Sequence, residues 1–390
     1  MKLKIVVKAG LLASLLGYGS AVTADWSRET ILNFDTRKVL VTLGDALAVH
    51  DEIPTLEEST FIGRDQEDAE ADLDELVEDA MALFESEAIN DLRNQYRELE
   101  ERIDEQNQKL SKYRHERVLA VEDGRSLRTQ LLPGDTLKSY VAVTKADFDM
   151  LIEATENNLA AYEAERALTI TQMSQALNAI GVDLDTDQLE AMMASVVGDD
   201  IVSMSVVFNA IKDMTTQLAE LTQSSGEDLA YAKKYYGMVI VLHRIMAHMQ
   251  ESFIADVDDK YLPKLAQYRA SAKSNIAQSR GLMSEGGNEE TLENNIQSNR
   301  LTLQVIDLYA DILENQRDKI AAAHEVTMRE MKVADNTYRT VSLSSSVVSM
   351  IREGANTFDQ LISLQMPDIR EFQNAEVREE FRNLTEQLAN

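Results

Sequence analysis

The longest run of regularly spaced apolar residues lies between Asn288 and Glu353, where neither proline nor glycine interrupts the chain. With position a set at Ile296, the a series is Ile296, Leu303, Ala310, Arg317, His324, Met331, Tyr338 and Ser345. The d series is Asn299, Ile306, Leu313, Ile320, Thr327, Ala334, Val341 and Val348. Eleven of these sixteen positions are apolar or aromatic, which keeps one stripe of a helix turned toward a partner. At a rise of roughly 1.5 Å per residue the helix would reach about 100 Å, so an elongated molecule is expected. A second stripe, Leu301, Val305, Leu308 and Ile312, predicts that this stretch is covered from two sides, as in a bundle.

A second heptad register runs from Ile89 to Ala120, with a at Ile89, Tyr96, Ile103, Leu110 and Arg117 and d at Leu92, Leu99, Gln106, Tyr113 and Ala120. Charged and amide residues fill the positions between, which predicts a coiled-coil arm with one buried seam and its back in water. The next helix is expected from a capping box at Thr144 and Asp147 to Gly181. Its stripe of Ile152, Leu159, Met173 and Ile180, interrupted by Arg166, makes it the antiparallel partner of the arm. The 89–120, 144–180 and 288–353 helices are expected to run side by side.

Lys38 to Leu43 reads as helix, and the run from Arg64 to Ala88, with eleven carboxylates and one base, reads as a helix with a solvated acidic face. Asp187 with Glu190 is expected to cap a short helix ending at Gly198, and Asp199 or Asp200 another running to about Ser224. The stretch Leu189 to Ile211 is strongly apolar and divided only by Gly198-Asp199-Asp200. Each half has roughly ten residues, too few to span a bilayer, and core helices are favoured over a membrane-inserting hairpin. The helix ending near Phe253 is apolar over much of its circumference, and Pro263 falls at or near the start of its successor. After Gly354 and Asn356, Pro367 opens an amphipathic tail through Phe372, Val377, Phe381, Leu384 and Leu388. That tail is expected to fold back onto the bundle and to offer a docking element for a partner protein.

The first residues change the picture of where the chain works. Lys2, Lys4 and Lys8 precede the apolar stretch Ala9 to Leu16, and Val22-Thr23-Ala24 supplies small residues for cleavage, so an export signal ending at Ala24 is expected. The chain has no cysteine, hence neither a lipid-acceptor residue nor a disulfide. A periplasmic protein, or one released to the medium, without a stable membrane anchor is the reading that follows. The formal charge of −30 disfavours nucleic acid and anionic headgroups as partners.

Candidate chemistry adds little. Asp183, Asp185 and Asp187 resemble a calcium loop, but Gln188 stands where glycine is needed and no glutamate lies six positions on. His243 and His248 are five apart, about 140° around a helix, which does not place two metal ligands on one face. The spacing of Met192, Met193, Met204 and Met214 suits core packing rather than copper capture. No phosphate loop, nucleophile elbow or metalloprotease helix occurs. No catalytic residue, cofactor or metal site is therefore assigned, and an enzyme is not expected.

The expected fold is all-α, an elongated helical bundle with long antiparallel coiled-coil helices and a more compact apolar part mid-chain. Its segments are an export signal at 1–24, an N-terminal segment at 25–66, an acidic helix and coiled-coil hairpin at 67–185, an apolar helical subdomain at 186–287, the heptad helix at 288–353 and amphipathic helices at 354–390. The expected role is a non-catalytic scaffold or adaptor of the bacterial envelope, contacting envelope proteins or copies of itself. A pore-forming or membrane-inserting protein using 189–211 is the second class carried.

Overall fold

The computed structural model describes residues 27–60, 63–122, 142–225, 229–340, 357–358, 360–362, 364–365 and 375–389. The short helix α1 (Arg28–Ile31) leads into α2 (Thr36–Glu52), so the stretch from Lys38 to Leu43 is helical. Helix α3 (Gln66–Leu83) opens with a reciprocal capping box between Asp65 and Asp68. It buries Ala69, Leu73, Val77 and Ala80 along one face while its carboxylates stay on the other. Most of the acidic run is therefore an amphipathic helix whose charged face is its wet face, but the run is not one helix as expected: α3 stops at Leu83, and Glu87 and Ala88 open the next helix behind the Ser86 cap.

Helix α4 (Glu87–Leu119) follows its heptad closely. Ser86 Oγ accepts from the Ile89 amide to start it, and Ile89, Leu92, Tyr96, Leu99, Ile103, Gln106, Leu110 and Tyr113 are all buried. Its partner is α5 (Lys145–Ala179), begun by the Thr144–Asp147 capping box with Asp147 fully buried. The pairing is antiparallel: Arg117 meets Asp149, Arg114 meets Glu156, and Arg166 meets Glu100. At 33 residues, α4 is about 50 Å long. The α5 seam keeps the expected stripe only in its C-terminal half, where Met173 and Ile180 are buried, and lies one row over before Arg166. Phe148, Leu151, Thr155, Ile170, Met173 and Leu177 are buried, whereas Ile152 and Leu159 are only half-buried.

A second, longer hairpin forms the body. Helix α8 (Leu229–Ala255), a π-helical turn (Asp256–Tyr261) and α9 (Leu262–Ser284) make one continuous arm, with Pro263 in the first turn of α9. Four residues then reverse the chain into α10 (Glu289–Thr340), whose 52 residues span about 78 Å. Phe253, Val257, Tyr261 and Leu265 are buried at successive steps of four. In an α-helix each such step drifts about 40° around the axis, and the wider π turn restores the row to one face.

On α10 the d positions Ile306, Leu313, Ile320, Thr327 and Ala334 are buried. Of the a positions, Ile296 and Tyr338 toward the ends are buried, whereas Leu303, Ala310, Arg317, His324 and Met331 between them are half-buried. Arg317 and His324 carry charge or polarity that a core would penalise, so the helix rolls toward its d row. Their heads reach the other arm at its edge: Arg317 pairs with Asp258 at 3.3 Å, and His324 Nε2 lies 2.9 Å from Glu251. The main neighbours of α10 are thus α8 and α9, not the α4–α5 arm beside which it was expected. The polar seam residues set the register of the chain's own hairpin. Val341, Ser345 and Val348, which continue the heptad, lie outside the described residues.

Helices α6 (Thr186–Met193) and α7 (Gly198–Ser224) fill the middle. The cap of α6 is Asp185, reciprocated by Gln188, two residues earlier than Asp187 with Glu190. Helix α7 starts at Gly198 without a side-chain cap, and Asp199 and Asp200 occupy its first turn. Leu189, Met192, Val197, Val202, Val206, Phe208 and Ile211 are core residues. The C-terminal helix α11 (Ala375–Ala389) folds back as expected and buries Phe381, Leu384 and Leu388. One continuous core runs from Ile31 to Leu388, and a small separate cluster of Tyr113, Phe148 and Leu151 closes the far end of the α4–α5 arm.

Candidate functional site: the projecting arm and its root

The arm joins the body where α4, α6, α7, α10 and α11 meet. Tyr309 of α10 is fully buried, and its ring stacks on Phe381 of α11 with centroids 4.0 Å apart. Its hydroxyl accepts from the Val196 amide at 2.8 Å and lies 2.9 Å from Thr385 Oγ1. Thr385 in turn donates to the Ala194 carbonyl at 2.8 Å. A chain of hydrogen bonds therefore leaves the α6–α7 turn and returns to it, fixing α10 and α11 together. Burial pushes the Tyr309 hydroxyl up to about 12, so it stays a neutral donor and acceptor.

Charge fixes the arm from the other side. Arg93 and Arg97 of α4 both pair with Asp199 in the first turn of α7. Arg166 of α5 bridges Glu100 and Glu190, and Glu100 also meets Arg382 of α11 at 3.6 Å. Burial opposes the Arg166 charge, but Glu100, Tyr96 and Glu190 together hold its guanidinium above its ordinary value. The residue that interrupts the α5 stripe is thus a clamp across three helices. Tyr96 beside it is raised well above the usual phenol range, first by burial and then by Glu100.

Beyond this root α4 and α11 part, leaving a groove of 560 Å³ over the buried Ile103 and Leu110. Its walls carry Arg114, Arg378 and Arg382 against Glu100, Asp104, Glu379 and Glu386. The Glu386 carboxyl is raised by burial and then by Asp104 and Glu100. At the far end of the described part of the arm Val118, Leu119, Val121 and Val143 are exposed by 75%, 74%, 61% and 58%, an aliphatic patch, called the tip below, on a mostly charged rod. The tip is held by two backbone bonds, Val121 N–H to the Val143 carbonyl and Lys145 N–H to the Val121 carbonyl.

The histidines and methionines singled out from the sequence lie elsewhere. His243 is buried and bonds the Val239 carbonyl, while His248 faces Glu78 at 3.6 Å, so the two are not brought together. Met192, Met193, Met204 and Met214 are buried in the core. Asp185 is a helix cap rather than part of a ligand loop. A cavity of 160 Å³ between α3, α7 and α8 is lined by Met81, Met204, Met249, His248, Asp200 and Asp256. Among the described residues no group of three or more His, Asp or Glu is placed to hold a metal ion.

Asp200 in that cavity is raised, first by burial and then by Asp256, against the pull of Arg93, Arg97 and Lys260. Its place in the first turn of α7 would favour the charge by about 0.3–1 kcal/mol, yet the net direction is upward, so burial and Asp256 outweigh the helix end. A carboxylate raised in the folded state costs stability above that pKa, and the cost vanishes as it protonates. Asp200→Asn is therefore expected to raise the melting temperature at pH 7, with the gain shrinking toward pH 4. Thermal unfolding of both proteins across that range checks it.

No protein-family model, curated protein or solved structure matches this chain.

Proposed function

We propose that the protein is a non-catalytic helical scaffold or adaptor of the bacterial envelope, exported by its first 24 residues and working through its α4–α5 arm. The observation that carries this reading is the arm itself: one buried seam, charged outer faces and four exposed aliphatic residues at its tip. An arm locked at its root by Asp199, Glu100 and Arg166 can present that tip at a fixed angle. Apolar exposure rimmed by charge is the surface character of a protein contact. The acidic exterior suits a neutral or basic partner surface. The polar seam residues Arg317 and His324 do not add to it, because Asp258 and Glu251 of the same chain already engage them.

The membrane-inserting alternative rests on residues 189–211. Among the described residues no helix is long and apolar enough to cross a membrane, and insertion would first have to pull Leu189, Val197 and Phe208 out of the core. The scaffold reading needs no such rearrangement.

Crosslinking in cells followed by mass spectrometry tests the proposal. Mature chains beginning at Asp25 should carry links from the arm to another protein or to a second copy. Leu119→Asp should abolish those links while changing stability by no more than about 0.5 kcal/mol, as expected for a surface position. Links confined to single chains would refute the scaffold role.

A further inference from the structure

We infer that His243 is a proton-operated latch, and that a proton on its Nε2 releases the helical segment around Phe358 and Leu361 from α8. The tautomer follows from one distance. Nδ1 lies 2.8 Å from the Val239 carbonyl, which can only accept, so Nδ1 carries the hydrogen and Nε2 carries the lone pair. Nε2 is buried and has no hydrogen-bond partner. The imidazole packs against the Phe358 ring, with centroids 4.7 Å apart and planes tilted by 44°. Phe358 and Leu361 are both fully buried and anchor the helical residues between 357 and 365.

Protonation would place a cation where nothing accepts its second N–H. The Phe358 face returns part of the cost as a cation–π contact, less than the penalty for a buried ion without a partner. Among the described residues, Glu330 of α10 is the charged group that bears on His243, and it favours the proton. Burial outweighs it, and the imidazole is held below its ordinary value. With the folded value depressed, docking is at full strength above about pH 6.5 and weakens up to about tenfold per pH unit below it, until the folded value is reached.

The effect is local because the other histidines are differently placed. Of the five in the chain, His50 faces Asp335 at 3.3 Å, His248 faces Glu78 at 3.6 Å and His324 faces Glu251 at 2.9 Å. A proton at any of these creates an ion pair. His115 is exposed. Asp200 and Glu386, whose carboxyls are raised, also gain from protonation. His243 alone among the five is buried with no carboxylate beside it to receive the new N–H.

Hydrogen exchange read by mass spectrometry on the full chain, at pH 7.5 and 5.5 with intrinsic rates corrected, tests this. Peptides covering residues 357–365 should lose protection by up to about tenfold at pH 5.5, while peptides from α4 and α10 do not change. His243→Leu should remove the pH dependence, and His243→Gln serves the same purpose if the leucine variant does not fold. Phe358→Ala should leave the segment unprotected at both pH values. Unchanged protection in the wild type overturns the latch, as does an equal loss in the His243 variants or a parallel loss across the whole chain.

Discussion

Tyr309→Ala is expected to lower the unfolding free energy by roughly 3–5 kcal/mol, the range for deleting a large aromatic side chain from a packed core. The ring is fully buried and stacked on Phe381, so truncation leaves a cavity between α10 and α11 that neither helix can fill without sliding. Tyr309→Phe keeps the ring and removes only the oxygen. It should cost about 1–3 kcal/mol, because the Val196 amide loses its acceptor inside the protein and Thr385 loses a partner. The two variants thus separate packing from hydrogen bonding at the root of the arm. Urea unfolding measures both. A lower midpoint with an unchanged slope is the expected result, and a Phe variant as stable as wild type would show that the hydrogen-bond chain contributes nothing.

Tyr309 was illegible in the sequence, although everything around it was read. It falls between Leu308 of one apolar stripe and Ala310 of the other, and a heptad assigns it no role. Its role comes from Val196 and Thr385, which are 113 and 76 residues away in the chain. The α4 seam was legible because one helix, α5, is its main partner along its length, so an a/d pattern maps directly onto burial. Helix α10 has neighbours on more than one side, and its buried row turned toward d because Arg317 and His324 could not be sunk at a. The heptad announced a partner without identifying it. The available signal was the short connection around Gly286-Gly287, since four residues between long helices force an antiparallel neighbour. The π turn also left a trace, in the run of four-residue steps from Phe253 to Leu265 that no straight α-helix can keep on one face. Of the candidate site, Arg166 was visible as an interruption of a stripe, but its partners Glu100 and Glu190 sit on other helices and carry no local pattern.

Gly198→Ala should be among the most damaging single-methyl additions in this chain, and Gly237→Ala a milder one. Gly237 lies inside a helix, where alanine is ordinarily favoured by about 1 kcal/mol, so a loss there reverses the intrinsic preference, while Gly198 is the first residue of α7. A Cβ on Gly198 would fall 2.3 Å from the Met192 carbonyl oxygen and 2.9 Å from Met193 Cα. Those are backbone atoms of α6, so no rotamer change relieves the clash, and the α6–α7 turn that Tyr309 and Thr385 grip would have to open. At Gly237 the added carbon would meet Leu47 Cδ2 and Tyr338 Cε2, both at 2.7 Å. Leu47 can turn aside, whereas Tyr338 is tethered by its hydroxyl to Asp51 at 2.7 Å. Overpacking of that kind costs about 1–3 kcal/mol, and the backbone clash at Gly198 should exceed it. Denaturant unfolding of the two variants ranks them. If Gly198→Ala were as stable as wild type, the close approach of α6 to the first turn of α7 would be wrong, and with it the fixed root from which the arm projects.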